Sequence, residues 1–168
     1  MFGLLKSKSE KIAFAMIDVA FWGSVSPEEF AAVRHAGIDE QIYKVEVNAL
    51  QVYITLQGFL MWSRGSPDKN IEKEIVERFY ALVNEHCRKS SPIPEQYYRL
   101  LLARISEYSE AKKFDDMAPN GAISMEFRRV FVANLALPNG DIPFEFMDTV
   151  PSRSEFIMKK LLAHLEKL

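Results

Sequence analysis

Polar or small residues recur through one long apolar segment at intervals of three and four: Gln41, Lys44, Asn48, Gln51, Thr55 and Gly58. Residues so spaced stack along one face of an α-helix. Between them lie Ile42, Tyr43, Val45, Val47, Ala49, Leu50, Val52, Tyr53, Ile54, Leu56, Phe59 and Leu60. The pattern therefore predicts a helix over 39–63 that is apolar around most of its circumference. Such a helix belongs at the centre of a helical domain with one narrow edge spared, and the polar line is expected to be that edge, facing solvent. Should the line turn inward, Asn48, Gln51 and Thr55, with Tyr53 or Tyr43 nearby, become the lining of a ligand pocket. A β-hairpin over 45–56 is the competing pattern, since β-branched residues are frequent there. Its alternation breaks at Ala49-Leu50, and Asn48-Ala49 makes a poor two-residue turn, so the helix explains more positions.

Start and stop signals divide the rest of the chain into further helices. Ser26-Pro27-Glu28-Glu29 combines a capping serine, a proline suited to the first helical position and a glutamate that can close a capping box. Val25 and Phe30 occupy the staple positions. Ser66-Pro67-Asp68 and Ser91-Pro92-Ile93-Pro94-Glu95 repeat the Ser-Pro start, and Ser152-Arg153-Ser154-Glu155 is a second candidate box. Gly23, Gly37 and Gly65 stand where preceding helices should stop. Helices are expected at 9–22, 27–36, 39–63, 68–89, 94–115, 122–136 and 152–167, with 129–135 ambiguous between helix and strand. In 68–89 the inward stripe is Ile71, Ile75, Phe79, Leu82, Val83 and His86. In 94–115 it is Tyr98, Leu101, Leu102, Ile105 and Tyr108. In the last helix it is Ile157, Met158, Leu161, Leu162, Leu165 and Leu168. The expected fold is all-α: one domain over 1–168, an irregular bundle of six to seven helices around the 39–63 helix.

The stretch 138–151 departs from this pattern. Asn139-Gly140 marks a turn and three prolines exclude a continuous helix, yet Ile142, Phe144, Phe146, Met147 and Val150 are apolar. A long apolar loop either covers a core or binds something. Phe2, Leu4 and Leu5 likewise place large apolar groups at an end that is normally frayed. Phe2, Leu4, Leu5, Phe144, Phe146 and Met147 are thus the candidate interaction surface.

Composition narrows the function classes. The chain has 168 residues, 48% apolar and 26% charged, with a net charge of −2, so nothing in its bulk charge favours nucleic acid or an anionic membrane. One cysteine, Cys87, cannot form an internal disulfide, which fits the reducing cytoplasm. Lysines 6, 8 and 11 before the apolar run 12–22 give the outline of a signal peptide. Asp18 interrupts the run, no small-x-small cleavage site follows, and the run is too short to cross a bilayer. It is read as a buried amphipathic helix with Lys11 and Asp18 on its exposed edge, and no stable membrane anchor is expected. Weak peripheral contact through residues 1–22 is the alternative.

Candidate chemistry is sparse. His35 and Asp39 have metal-ligand spacing but Gly37 interrupts the helix between them, His86 and His164 lack such partners, and no Glu-x-x-His pair exists. Cys87 and His86 are adjacent and so point apart on a helix, which favours a buried thiol over a nucleophile–base pair. Arg99, Arg104, Arg128 and Arg129 with Tyr97, Tyr98 and Tyr108 could form an anion-binding face, but the acids Glu95, Glu107, Glu110 and Glu126 dilute it; salt-bridged, solvated faces are expected. Gly58 inside a helix costs about 1 kcal/mol relative to alanine, which a close helix crossing would justify. Phosphate loops, dinucleotide fingerprints and nucleophile elbows are absent, and no cofactor or metal is expected. The resulting expectation is a non-enzymatic cytoplasmic protein, with an adaptor, regulatory or accessory role, that binds another protein or a second copy of itself. The alternative is a small-molecule-binding bundle, an enzyme among its forms, with a pocket beside the central helix.

Overall fold

The computed structural model describes residues 7–23, 25–65, 68–115, 125–135 and 149–168. Among them are seven α-helices and no strand: α1 (Lys8–Ala20), α2 (Pro27–His35), α3 (Glu40–Trp62), α4 (Lys69–Ser90), α5 (Pro94–Asp115), α6 (Met125–Asn134) and α7 (Thr149–Leu165), with a 3-10 turn at Ser63–Gly65 after α3. The segment 45–56 is helical throughout, and so is the ambiguous stretch up to Asn134.

Local chemistry explains most boundaries. Ser26 accepts from the Glu29 N–H at 3.1 Å while the Glu29 carboxylate accepts from the Ser26 N–H at 2.8 Å, with Pro27 as the first helical residue. This is the expected capping box. Ser7 and Glu10 form a second one at the start of α1. Asp39 and Asp68 cap α3 and α4 through backbone N–H groups two and three residues on. Helix α2 ends on Gly37 at φ +70°. There the Gly37 and Ile38 N–H groups close on the Arg34 and Val33 carbonyls, satisfying groups the helix leaves open.

The expected box at Ser152 is a correction. Helix α7 begins three residues earlier, at Thr149, so Ser152 lies inside it. Pro151 is tolerated because first-turn N–H groups have no helical partner. The nearby Ser154 hydroxyl donates to the Val150 carbonyl one turn back, at 2.6 Å, and caps nothing.

Helix α3 packs against α1, α2, α5, α6 and α7 and supplies Tyr43, Val47, Ala49, Leu50, Val52, Tyr53 and Phe59 to the core. Contacts fix the directions. Tyr53 meets Tyr108 and Gln57 meets Lys112, so α5 runs parallel to α3. Gln51 meets Arg153 and Gly58 meets Met158 and Leu161, so α7 does too. Phe127 meets Tyr53 and Phe131 meets Tyr43, so α6 runs antiparallel. Helix α4 lies alongside α1, where the Phe21 and His86 rings stack 3.8 Å apart.

The expected stripes largely form the core, with exceptions. Ile71, Leu162 and Leu168 are exposed. Lys11 and Asp18 lie on the exposed edge of α1, as expected. Gly58 is a close crossing: a Cβ there would stand 2.7 Å from Met158 Sδ and 2.9 Å from Leu161 Cδ2.

Candidate functional site

The polar line of α3 does not stay at the surface, which corrects the solvent-edge expectation. Gln41 is exposed and Lys44 and Asn48 are half-buried, but Gln51 is 2% exposed, Thr55 0%, and Gly58 is buried. The line passes beneath α1 and α7 as it runs toward the C-terminal end of α3. Asn48 Nδ2 donates to the Tyr97 hydroxyl at 2.7 Å. The Gln51 side chain takes the orientation in which its nitrogen donates to the Ala20 carbonyl at 3.1 Å and its oxygen accepts from Arg153 Nη1 at 3.0 Å. Thr55 Oγ1 has no hydrogen-bond partner among the described residues. Tyr53 lies across the helix from Gln51, its ring against Tyr108 and Phe127. The four candidate pocket residues therefore divide: Asn48, Gln51 and Thr55 share a face, and Tyr53 does not. Phe2, Leu4, Leu5, Phe144, Phe146 and Met147 lie outside the described residues.

A polar cluster that the sequence pattern did not single out sits between α3, α5 and α6. Glu46 is 1% exposed. Its Oε1 accepts from the Tyr108 hydroxyl at 2.5 Å and from Asn134 Nδ2 at 3.1 Å. Its Oε2 lies 3.2 Å from Arg104 Nε, whose N–H makes no hydrogen bond, so this contact is a charge pairing. Arg104 also pairs with Glu107 at 2.9 Å, and Asn134 donates to Glu107 at 2.7 Å. Arg104 is thus no solvated surface charge, as the sequence suggested; it reaches inward. Burial holds the Glu46 carboxyl above its ordinary range, opposed by the Tyr108 and Asn134 hydrogen bonds and the Arg104 charge. Burial and the Glu46 charge push the Tyr108 phenol well up. The one available signal was that Glu46 is the only acid in α3 after its first residue.

Helices α2, α3 and α7 are joined by a second polar group. Glu29, already engaged in the capping box, pairs with Arg153 and lies 3.4 Å from the Tyr43 hydroxyl. Every carboxylate here has a protein partner, and both clusters join helices without enclosing a shared reacting position.

The surface is more informative. Trp22, just past α1, is 52% exposed, and Phe156 of α7 is 44% exposed; their rings stack at 5.0 Å and 15°. Lys160 lays its ammonium 2.8 Å from the centre of the Trp22 ring. Large aromatics usually place their area in a core or an interface, and this pair is left half exposed. Met61 and Trp62 at the end of α3 are also exposed, at 54% and 40%. Sequence reading missed Trp22 because it closes an apolar run that looks wholly buried.

Cys87 is fully buried and its thiol is pushed up to about 11 by that burial, far from the range of a reactive thiolate. Among the described residues no three His, Cys, Asp or Glu side chains gather as a metal site, and no helix is long and apolar enough to cross a membrane. No protein-family model matches the chain, and neither a curated protein nor a solved structure shows significant similarity to it.

Proposed function

We propose that this protein acts by binding another protein, without catalysis, through the aromatic surface at Trp22 and Phe156. The observation that carries this reading is the stacked pair itself: two large rings, one just past α1 and one on α7, held side by side and half in water. Such rigid aromatic area is what anchors interfaces, because it contributes contact at little entropic cost. The single buried thiol is consistent with a reducing, cytoplasmic setting, and a second copy of the chain is an eligible partner. The small-molecule alternative draws on the orphan hydroxyl of Thr55, but Asn48 and Gln51 commit their amides to protein groups, which weakens it.

The test is affinity capture from the native cells, with sedimentation analysis for self-association, comparing the wild type with a Trp22→Ala/Phe156→Ala double variant. Both side chains are half-exposed, so helicity is expected to be unchanged. Removal of an aromatic anchor is expected to weaken a specific partner or the dimer about 30-fold or more. Equal retention by both proteins would refute this use of the surface.

A further inference from the structure

The aromatic surface is already occupied by a cation. Lys160 stands four residues after Phe156 on α7, and its ammonium lies 2.8 Å from the Trp22 ring centre and 5.8 Å from that of Phe156. Neighbouring Lys159 behaves as a surface lysine does: its side chain is 81% exposed and pairs with Glu155 at 3.7 Å. Lys160 instead lies on the rings. Burial lowers the pKa of this ammonium, and Asp18, exposed on α1 four residues before Trp22, opposes that shift. An aromatic face carries negative quadrupole charge and attracts ammonium and guanidinium groups. Two such faces therefore meet where the Lys160 ammonium lies, and Asp18 supplies an opposite charge acting on it. The present occupant is tethered by one flexible side chain, and an exposed contact of this kind is worth roughly a two- to five-fold preference. An incoming group can displace it.

We propose that this shelf receives a lysine or arginine side chain of a partner protein, which replaces Lys160 over Trp22 and takes Asp18 as its counter-ion. The proposal rests on the interaction reading above and names the chemistry of the partner. It follows that the partner surface is basic at its centre, and that Lys160 acts as an internal competitor.

The experiment uses the full chain carrying Trp62→Phe, which leaves Trp22 as the sole indole of two in the sequence. The Trp22 indole N–H resonance is followed while acetyl-Gly-Lys-Gly-amide, its trimethyllysine counterpart or its norleucine counterpart is added. The lysine and trimethyllysine peptides are expected to shift the resonance saturably and the norleucine peptide far less. Lys160→Ala should tighten the cationic peptides roughly two- to five-fold, and Asp18→Asn should weaken them. Equal binding of the norleucine peptide, no saturable shift, or no effect of Lys160→Ala would overturn the proposal. If peptides fail while Trp22→Ala/Phe156→Ala still abolishes capture of a partner, only the basic-group inference falls. If capture survives the double variant, the interaction reading falls with it.

Discussion

Glu46 shows how far one residue's environment can depart from that of its neighbours in the chain. It stands between Val45 and Val47 and is as buried as they are. The donors Tyr108 and Asn134 and the charge of Arg104 hold it there, arriving from 58 to 88 positions away in sequence. Burial, the largest influence, raises its carboxyl above the ordinary 4.5. A native carboxyl that keeps its proton to higher pH than the unfolded chain does contributes stability that is complete below 4.5 and is lost as pH rises through the native value. Gln cannot ionise and so escapes that loss, while Arg104 keeps its partner Glu107. Glu46→Gln is therefore expected to gain on the wild type in urea-unfolding midpoint as pH rises above 4.5. A wild-type advantage growing with pH would show that the donors outweigh burial. None of this was readable from α3 alone, because periodicity locates a face but not the donors that meet it. For the same reason Gln51 and Thr55 were expected at the surface: their spacing is identical whether α1 and α7 cover them or water does.

Boundaries of elements were readable where the chemistry is local. The caps at Ser26, Asp39 and Asp68 each involve a side chain and backbone within three residues; the sequence pattern named Ser26, while it placed Asp39 and Asp68 one position inside their helices. The start of α7 was misplaced because Ser152 and Glu155 have capping spacing while the true first turn at Thr149 carries Pro151, a residue equally at home in a loop. Gly58 was readable as an anomaly, and its cause came only with α7. There the two effects of adding a methyl oppose each other. Alanine gains about 1 kcal/mol of helix propensity, but its Cβ would meet Met158 Sδ and Leu161 Cδ2 below 3.0 Å, and overpacking costs typically 1–3 kcal/mol. Both contacted atoms lie toward the ends of side chains that can shift, so Gly58→Ala is expected to be mildly destabilising, by about 1 kcal/mol. In a Met158→Ala background the 2.7 Å contact is gone while the 2.9 Å contact to Leu161 Cδ2 remains, so the same substitution should cost less than in the wild type. Denaturant melts of the four proteins measure this coupling; equal effects in both backgrounds would mean that α3 and α7 do not press together at Gly58.

At the scale of the whole molecule, a central helix covered on most sides makes the core continuous, and Cys87 is a natural reporter of how cooperatively it opens. The thiol lies on α4 at 0% exposure. Two barriers protect it. Reagent cannot reach the sulfur in the closed state, and burial pushes its ionisation up to about 11, so little thiolate exists near neutral pH. Labelling by a disulfide reagent must therefore wait for an opening that removes both at once. Helix α4 packs on α1 as well as α5, and α1 in turn packs on α3 and α7. Freeing Cys87 by peeling away α4 would thus uncover α1 and begin to dismantle the centre. The expected outcome is slow labelling in buffer whose rate rises with urea along the same slope as global unfolding followed by circular dichroism. A labelling rate that is fast and insensitive to low urea would instead mark the α4–α5 hairpin as an independently opening unit, and the bundle would then be cooperative only around α3 and α7.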